Sequence, residues 1–383
     1  MSEPVPLLFL FPALEVGGAE RQLQLLVERL DRRRFRPLVA CQHGRGRIAE
    51  ALEARGVRVR QLSDRRRFDA GFFLRTLRLV RAEGVRLVLT HGFSTGVVGR
   101  LAAVLAGAPV RILAEHATGE RDMSANKHSV NRALAPLTSA WIAVADGQLE
   151  YLQRVKRIPL AKTHLIRNGI DCAAFGNRDE RERVRAELGI SAHARVAGIV
   201  AMLRPEKDHD TFLHAAQRVV ERLDEARFLI VGDGPRRDEL ERRVVEVGLE
   251  RIVLFTGWRG DVARVLSALD VSVLCSTDVE TMPLALLESM ASALPLIGTR
   301  VGGVPEVIEE GHNGILVQPR APEELAAAML RVLEDPETAQ RWGRASRERA
   351  EREFGVQRMV RLHEKLFTAL LEDAGVPVPP GIS

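Results

Sequence analysis

The sequence predicts an α/β protein with two doubly wound parallel sheets. Short apolar runs alternate with longer helical stretches in both halves of the chain, a pattern typical of parallel strands joined by crossover helices. The length of 383 residues is sufficient for two domains that each bury their own core. The first series of strands ends near residue 176, and a new strand at 195–202 begins the second series.

The apolar runs of the first half define its expected strands. They lie at 7–11, 37–41, 57–62, 86–90, 110–115, 141–144 and 163–166. Gly17 and Gly18 follow the first of these runs and precede a helical pattern. Two glycines let a backbone approach a ligand closely at a helix start, although a tight strand–helix turn can need them for packing alone.

Composition and cysteine usage narrow the class of protein. No run approaches the roughly 20 apolar residues of a membrane span. The apolar run within residues 1–14 lacks a basic leader and a cleavage site, so we expect a first strand rather than a signal peptide. The cysteines, Cys41, Cys172 and Cys275, are scattered, which predicts a reducing cytoplasm without a disulfide framework or zinc cluster.

Charge is distributed unevenly along the chain. Residues 1–175 hold 28 Lys and Arg against 16 Asp and Glu, whereas the remainder holds 28 against 35. A basic first half predicts an anionic partner there, either an acidic acceptor or an anionic membrane surface. A coding bias explains why Arg outnumbers Lys, but it does not explain the asymmetry between the halves.

A helix after residues 65–73 combines basic and apolar faces. Its inward face is expected to hold Leu74, Leu77 and Val80. Its opposite face carries Arg75, Arg78 and Arg81. The favoured interpretation is a solvated helix face. The alternative is a membrane-surface patch in which Phe68, Phe72 or Phe73 enters the lipid headgroups.

Two histidines follow predicted strands of the first half. His91 follows the fourth strand and His116 the fifth, and the carboxyl ends of parallel strands are where ligands bind. A lone histidine is more often a satisfied core residue than a catalytic one. The polar stretch 119–131 could form a loop that gates an acceptor.

The stretch 275–318 carries the strongest functional pattern. It predicts a strand, a loop with Glu280, a helix that begins near Pro283 and contains Glu288, and a second strand. Backbone N–H groups at a helix start suit a phosphate, and carboxylates accept hydrogen bonds from sugar hydroxyls. The combination predicts a nucleotide-sugar site. From spacing alone, a solvated loop glutamate and a helix-surface glutamate explain the pattern equally well.

A polar loop at 203–210 follows the first strand of the second half. Arg204 and Lys207 could clamp a diphosphate there, or both could be surface charges. Asp208 and Asp210 form an Asp-x-Asp pair, but they directly precede a helix. We therefore predict a helix N-cap rather than a metal site, and no metal ligand in the chain. The Gly-x-Gly at 232–234 is only a fragment of a dinucleotide fingerprint.

The residues from Glu280 onward resemble a known family. Glu280 and Glu288, followed by Leu294-Pro295 and by Gly302-Gly303-Val-Pro-Glu, resemble the signature of family 4 retaining glycosyltransferases of the GT-B fold. The resemblance extends from about Phe9 to Phe354. It implies two Rossmann-like domains facing a cleft. They would be an acceptor-binding domain at 1–176, a nucleotide-sugar-binding domain at 177–355, a helix at 356–375 that returns to the first domain, and a disordered tail at 376–383.

The resemblance implies roles for the acidic helix start. Glu280 would hold the hydroxyls of the transferred sugar, and Glu288 would hold the ribose. The backbone between them would face the diphosphate, at Thr281, Met282, Pro283 and Leu284. Thr281 stands where the family usually has glycine, so its side chain would narrow the sugar pocket.

The resemblance also implies the rest of the donor site. Lys207 matches the family's lysine on the diphosphate. The family's Gly-Arg pair is replaced here by Ala-Met at 201–202, so either Arg204 takes the arginine's role or the clamp depends on Lys207 alone. The loop that contains Gly257 and Trp258 would hold the nucleobase.

In the first half, the resemblance places Gly17 and Gly18 opposite the donor diphosphate and the acceptor. It favours His116 over His91 as the residue beside the donor sugar, with Glu115 as its orienting neighbour. The Asn168-Gly169 segment matches the family's domain crossing and is interpreted as structural.

The resulting hypothesis is transfer of a hexosyl group from a nucleoside-diphosphate sugar, with retained anomeric configuration and without metal or cofactor. The acceptor would be a glycan, a lipid-linked sugar or a small molecule, and no nucleic acid is implied. The protein would be cytoplasmic, with the inner face of the membrane as a candidate location. The alternatives are a GT-B-fold sugar-nucleotide epimerase or phosphorylase, and a non-catalytic nucleotide-sugar-binding subunit.

Overall fold

Parallel sheets flanked by helices form each of two structural units in the computed structural model. The structure describes residues 3–15, 17–64, 70–115, 125–278 and 280–381. The first unit combines Met1–Gly169 with Val356–Ser383, and the second is Ile170–Gly355.

The first unit contains a parallel sheet with the strand order β3-β2-β1-β4-β5-β6-β7. Its strands are β1 (Val5–Phe11), β2 (Phe35–Cys41), β3 (Arg58–Gln61), β4 (Leu87–His91), β5 (Val110–Ala114), β6 (Ala140–Ala143) and β7 (Thr163–Leu165). Its helices are α1 (Gly18–Arg29), α2 (Arg47–Ala54), α3 (Ala70–Ala82), α4 (Phe93–Ala106), α5 (Ala125–Ala133), α6 (Asp146–Arg154) and, from the end of the chain, α15 (Val356–Asp373). The apolar runs form buried strands because crossover helices pack against such sheets.

The second unit repeats this architecture with the order β10-β9-β8-β11-β12-β13. Its strands are β8 (Arg195–Val200), β9 (Ala226–Val231), β10 (Val253–Gly257), β11 (Val271–Leu274), β12 (Leu296–Thr299) and β13 (Gly314–Val317). Its helices are α7 (Arg181–Glu187), α8 (His209–Val220), α9 (Arg237–Glu246), α10 (Val262–Ser267), α11 (Leu284–Ala291), α12 (Val304–Val307), α13 (Pro322–Leu333) and α14 (Pro336–Glu353).

The strand order of the second unit reverses between β8 and β11. These strands are parallel neighbours, with Ile199 paired with Val273. Ligands of doubly wound sheets bind beyond the carboxyl ends of the strands at such a switch point. The loops that follow β8 and β11 therefore emerge side by side, and they are the loops that contain Lys207 and Glu280.

The boundary between the units lies at Gly169, earlier than the expected residue 176. Residues 170–176 belong to the second unit because their backbone bonds to it. The N–H of Ile170 donates to the Phe354 carbonyl (2.7 Å), and the Phe175 carbonyl accepts from Arg347 Nη1 (3.0 Å). The sequence could not show these bonds because the partners are more than 170 residues away.

Gly169 itself is fixed within the first unit. Its N–H donates to Gln22 Oε1 (2.7 Å) and its carbonyl accepts from Gln22 Nε2 (3.0 Å). A β-carbon on Gly169 would lie 2.9 Å from the Val356 α-carbon, so only glycine fits against α15. These contacts agree with the structural interpretation of the Asn168-Gly169 segment.

The expectation of a disordered tail is wrong for residues 376–381. Val376 is buried in the core that contains α15, and Val378 packs against the same core. The Arg34 guanidinium donates to the Pro379 carbonyl (3.0 Å). The proline-rich composition suggested disorder, but burial of apolar side chains stabilises this segment.

Helix α3 presents a different outer face from the one expected. Leu74 is 46% exposed rather than inward, whereas Phe72 is fully buried. Phe73 is partly buried against the same core as Phe72, so neither aromatic is placed to enter a lipid surface. Phe68 lies outside the described residues. Among the described helices, none combines the length and the apolar character needed to cross a bilayer.

Candidate active site

Lys207 and Glu280 meet at the switch point of the second unit. Lys207 Nζ donates to Glu280 Oε1, and Ser276 Oγ donates to the same oxygen (2.5 Å). Glu280 is 7% exposed, so it is not the solvated loop residue of the alternative interpretation. Two donors thus converge on one carboxylate oxygen. The other oxygen, Oε2, accepts no hydrogen bond within the part of the chain that the structure describes.

Backbone contacts hold the Glu280 loop in place. The Gly303 N–H donates to the Glu280 carbonyl (2.9 Å). The Thr277 N–H donates to the Glu206 carbonyl (3.0 Å) in the loop at 203–210, which contains Lys207 and is called the lysine loop below. Thr299 Oγ1 donates to the Ser276 carbonyl (2.6 Å). Sequence analysis did not identify Ser276 or Thr299. The available signal was a polar residue at or just after the end of each of two apolar strands.

The Gly-x-Gly turn at 232–234, after β9, packs closely against the backbone at the start of the lysine loop. A β-carbon on Gly232 would lie 2.0 Å from the Ala201 carbonyl oxygen, and one on Gly234 would lie 2.7 Å from the Leu203 carbonyl oxygen. The Leu203 N–H donates to the Asp233 carbonyl (3.0 Å). The turn therefore has a packing role: its glycines let two backbone segments lie together, and this positions the loop that ends in Lys207.

The Asp-x-Asp pair is a helix cap, as predicted. Asp208 is the N-cap of α8 and accepts from the Thr211 hydroxyl (2.7 Å) and the Thr211 N–H (3.4 Å). Asp210 accepts from Arg236 Nη2 (2.8 Å). Burial lowers the pKa of His209, between them, to about 4, so that its ring is neutral near pH 7. The described residues contain no group of three acidic, His or Cys side chains arranged to hold a metal. Metal independence stays a prediction.

Helix α11 begins four residues after Glu280, at Leu284. Thr281 and Met282 are buried, and Pro283 precedes the first helical residue, Leu284. Glu288 is 3% exposed, which excludes the alternative of a helix-surface charge. The N–H groups of a first helical turn have no partner within their own helix and form an anion site with the helix dipole. The geometry leaves the predicted ribose role of Glu288 open.

The other predicted donor-site residues end or follow strands of the same sheet. Arg204 precedes Lys207, but its side chain is half exposed and its guanidinium lies 4.0 Å from Glu206 Oε1. Gly257 ends β10 with a left-handed backbone (φ +68°), and its carbonyl accepts from the Gly232 N–H (3.0 Å). Trp258 is 50% exposed, which leaves much of its indole available to a ligand.

Gly17, Gly18 and His91 lie in the first unit. Gly17 caps α1 and Gly18 is its first residue. His91 Nδ1 lies 3.2 Å from the Ala114 carbonyl oxygen, and its ring stacks on Phe11 at 5.0 Å. Burial lowers the pKa of His91 to about 4. His91 is therefore a neutral, packed histidine, and the preference for His116 stays a prediction. His116 itself lies outside the described residues.

Glu115 forms an ion pair with a buried lysine. Lys156 Nζ donates to both of its carboxylate oxygens (2.7 and 2.5 Å), and both side chains are largely buried. Sequence analysis missed Lys156. It lies 41 residues from Glu115, and no local pattern marks it. Glu115 is therefore an ion-pair partner of Lys156, and its orienting role toward His116 stays a prediction.

Two doubly wound units with polar loops at a switch point define a GT-B architecture, and solved structures share it. The Anabaena protein HepE, solved with UDP, matches with a TM-score of 0.86 over 95% of this chain and 100% of that chain, at 22% identity. Sucrose-phosphate synthase from Thermosynechococcus elongatus matches with a TM-score of 0.79 over 96% and 100%, at 20% identity. At these identities the likeness concerns the fold.

Sequence comparison establishes the family. The model of Glycosyltransferase Family 4 matches residues 16–174, and that of Glycosyl transferases group 1 matches residues 180–349. The chain belongs to the family 4, group 1 glycosyltransferases and is a glycosyltransferase.

Curated relatives are glycosyltransferases of the same type. The Escherichia coli UDP-Gal:alpha-D-GlcNAc-diphosphoundecaprenol alpha-1,3-galactosyltransferase is 29% identical over 67% of this chain and 69% of its own length. The Bacillus anthracis N-acetyl-alpha-D-glucosaminyl L-malate synthase is 32% identical over 54% of this chain and 53% of its own.

Proposed function

We propose that the protein transfers a hexosyl group from a nucleoside-diphosphate sugar to a glycan, lipid-linked or small-molecule acceptor, retaining the anomeric configuration without a metal. The observation that carries the proposal is the convergence of Lys207 and Ser276 on Glu280 at the switch point of the second unit. The loops that follow β8 and β11 thus offer the Lys207 ammonium to a diphosphate and a Glu280 carboxylate oxygen to a sugar hydroxyl.

The donor would lie along the carboxyl edge of the second sheet. Lys207, assisted by Arg204 and the start of α11, would neutralise the diphosphate, and Glu288 would accept from the ribose hydroxyls. Trp258 and the backbone at Gly257 would border the nucleobase. UDP-sugars are the first donors to test, because HepE was solved with UDP and the E. coli relative is named for UDP-Gal.

Catalysis would concentrate where charge develops. As the bond between the anomeric carbon and the phosphate oxygen breaks, negative charge grows on the diphosphate, and a positioned ammonium and helix N–H groups stabilise it. In the proposed same-face displacement, the acceptor oxygen forms the new bond to that carbon. The acceptor's proton passes to the leaving phosphate oxygen. Glu280 would hold the sugar hydroxyls, and His116 would lie beside the reacting carbon, as the resemblance implies.

The proposal is tested by donor turnover with defined acceptors. UDP-, GDP- and ADP-hexoses are incubated with the full chain and with lipid-diphosphate-linked N-acetylglucosamine or L-malate, and product linkage is read from the anomeric proton coupling by NMR. We expect one donor class to give a product with the donor's own configuration, with EDTA causing no loss.

Other products would contradict the proposal in distinguishable ways. An inverted product would reject the retaining mechanism. Donor epimerisation without acceptor, or cleavage that depends on phosphate, would instead establish the epimerase or phosphorylase alternative. Donor binding without turnover in any of these assays would favour a binding subunit.

The outer face of α3 also supports contact with an anionic membrane, at the cytoplasmic face where nucleotide sugars are used. Leu74 and Leu105 are 46% and 57% exposed, and Arg81 bonds to the Leu105 carbonyl (2.9 Å), so apolar and basic groups share one surface. Within the described residues Arg78 has no ion-pair partner. Basic and apolar side chains together bind anionic bilayers.

A flotation assay tests this membrane contact. Wild type is expected to float with phosphatidylglycerol vesicles at low salt and not with phosphatidylcholine vesicles, and Arg78→Glu with Leu74→Glu should abolish flotation. Arg251→Glu, an exposed substitution in the second unit, is the matched control and should float like wild type. Equal recovery of all variants, or no flotation of wild type, would leave the simpler interpretation of a solvated helix face.

A further inference from the structure

A cavity of about 230 Å³ lies in the first unit. It is bordered by α5, by β6 and by the segment that follows α6. Its polar lining consists of His128, Asn131, Arg132 and Lys156, and Trp141 and Ile158 form an apolar wall. None of these residues has a role in the donor site, and the cavity is large enough for a phosphate group together with part of the molecule that carries it.

Lys156 contributes a buried cation to this lining. Its side chain is 7% exposed, and its ammonium donates two hydrogen bonds to the carboxylate of Glu115. An ammonium has three N–H groups, so one remains after both bonds to Glu115 are made. Glu115 therefore adds no uncompensated negative charge to the cavity.

Asn131 is oriented from behind by a buried arginine. Arg100 is 1% exposed, and its Nη2 donates to Asn131 Oδ1 (2.6 Å). Its other bonds go to the Gly96 carbonyl (2.7 Å) and the Thr138 hydroxyl (3.1 Å). Because the amide oxygen accepts from Arg100, the Asn131 NH₂ group is presented as a donor. Burial lowers the pKa of Arg100 to about 10, which leaves it charged near pH 7.

Arg132 adds a guanidinium to the donors of Lys156 and Asn131. It is exposed at the cavity, and within the described part of the chain it forms no hydrogen bond or ion pair. Within the described residues, the cations Arg132 and Lys156 line the cavity and Arg100 lies behind Asn131, against the single carboxylate of Glu115. A guanidinium fork and an ammonium bind phosphate through charge-assisted hydrogen bonds. A phosphate dianion matches this excess of two positive charges, whereas a carboxylate leaves one unbalanced.

We propose that this cavity binds a phosphate monoester group of the acceptor substrate. The assignment of this phosphate to an acceptor substrate rests on the proposed function. The binding of phosphate in the cavity does not depend on it. Arg132 would contact the phosphate by its two-pronged guanidinium, the Asn131 amide and Lys156 would each donate one further bond, and Trp141 would pack against the group that bears the phosphate.

The site is tested by direct binding to the full chain. Inorganic phosphate and glycerol 3-phosphate are titrated by calorimetry, with the Lys207→Met protein as a second background so that anions bound in the second unit are not counted. Arg132→Gln is expected to weaken binding at least about tenfold. Asn131→Asp places a carboxylate in the cavity while Arg100 retains its partner, so binding should be lost with the fold kept. Arg154→Gln, an exposed ion-paired arginine on α6 outside the lining, is the matched control.

The outcomes separate this inference from the proposed function. Phosphate affinity equal in wild type, Arg132→Gln and Asn131→Asp, or no saturable binding by wild type, would overturn the inference even if nucleotide sugars bind normally. Phosphate binding that depends on Arg132 in a protein that binds no nucleotide sugar would leave the anion site standing and reject the proposed function. Comparing glycerol 3-phosphate with vesicles of phosphatidic acid shows whether the phosphate belongs to a soluble or a lipid molecule. The site is supported if either ligand binds to wild type and Arg132→Gln abolishes that binding.

Discussion

Substitution of Lys207 by methionine is expected to lower kcat of sugar transfer by about 10²–10³-fold. The lysine is the cation that converges on Glu280 and, by the proposed function, stabilises the charge of the departing diphosphate. Methionine keeps a straight side chain of similar length but removes the ammonium. Steady-state kinetics with the donor identified in the screen measure the change. The matched variant Arg204→Met should cost much less, because the Arg204 side chain is half exposed and its nearest carboxylate is Glu206, at 4.0 Å.

Lys207→Met also removes the cation beside a buried carboxylate. Among the described residues, Ser276 would be the one side-chain donor left to Glu280, so we expect a loss of about 1–3 kcal/mol in the free energy of unfolding. The Lys207→Met/Glu280→Gln double variant should recover most of that stability, because a neutral amide needs no cation, while transfer stays lost.

The pair of variants separates a catalytic role from a structural one. Thermal denaturation of the single and double variants measures the stability side, and turnover measures the catalytic side. Restored turnover in the double variant, or turnover of Lys207→Met within about threefold of wild type, would show that the lysine only neutralises Glu280.

Sequence patterns predicted the parts of this protein that depend on interactions between residues close together in the chain. The alternation of apolar runs and helical stretches reflects periodic burial, and it identified both sheets. Asp208 was recognised as an N-cap because its interaction with Thr211 spans only three residues. The loop–helix unit around Glu280 was found because its strand, proline and helix are contiguous in the chain.

The parts that could not be predicted depend on contacts between distant segments. Ser276 donates to Glu280, and its own carbonyl is held by Thr299, at the end of the next strand in the sheet. Lys156 reaches Glu115 across 41 residues. Leu74 was expected inside because helical periodicity identifies an apolar face, but periodicity does not show that Phe72 already fills the core at that turn.

Gly302 is the second position where a small change is expected to have a large effect. It has a left-handed backbone (φ +50°), and a β-carbon added to it would lie 1.7 Å from the Glu280 carbonyl oxygen. Because β-carbons do not approach other atoms within 3.0 Å, the Glu280 loop would have to move by more than an ångström. Misplacement of about 1 Å can cost about 10²-fold in rate. We expect that loss in kcat for Gly302→Ala, together with a lower Tm.

Gly311 supplies the control that isolates this steric effect. It lies in the same unit with a left-handed backbone (φ +74°), but a β-carbon there would meet nothing within 4 Å. Both alanine variants carry the left-handed strain of about 1–2 kcal/mol, so each should lose a few degrees of Tm. Only Gly302→Ala should also lose the hydrogen bond from the Gly303 N–H to Glu280, and with it the position of the carboxylate. Equal kinetics for the two variants would mean that the position of the Glu280 backbone does not limit transfer. A selective loss in Gly302→Ala, with nucleotide affinity less affected than kcat, would show that the glycine acts by letting Glu280 reach the sugar.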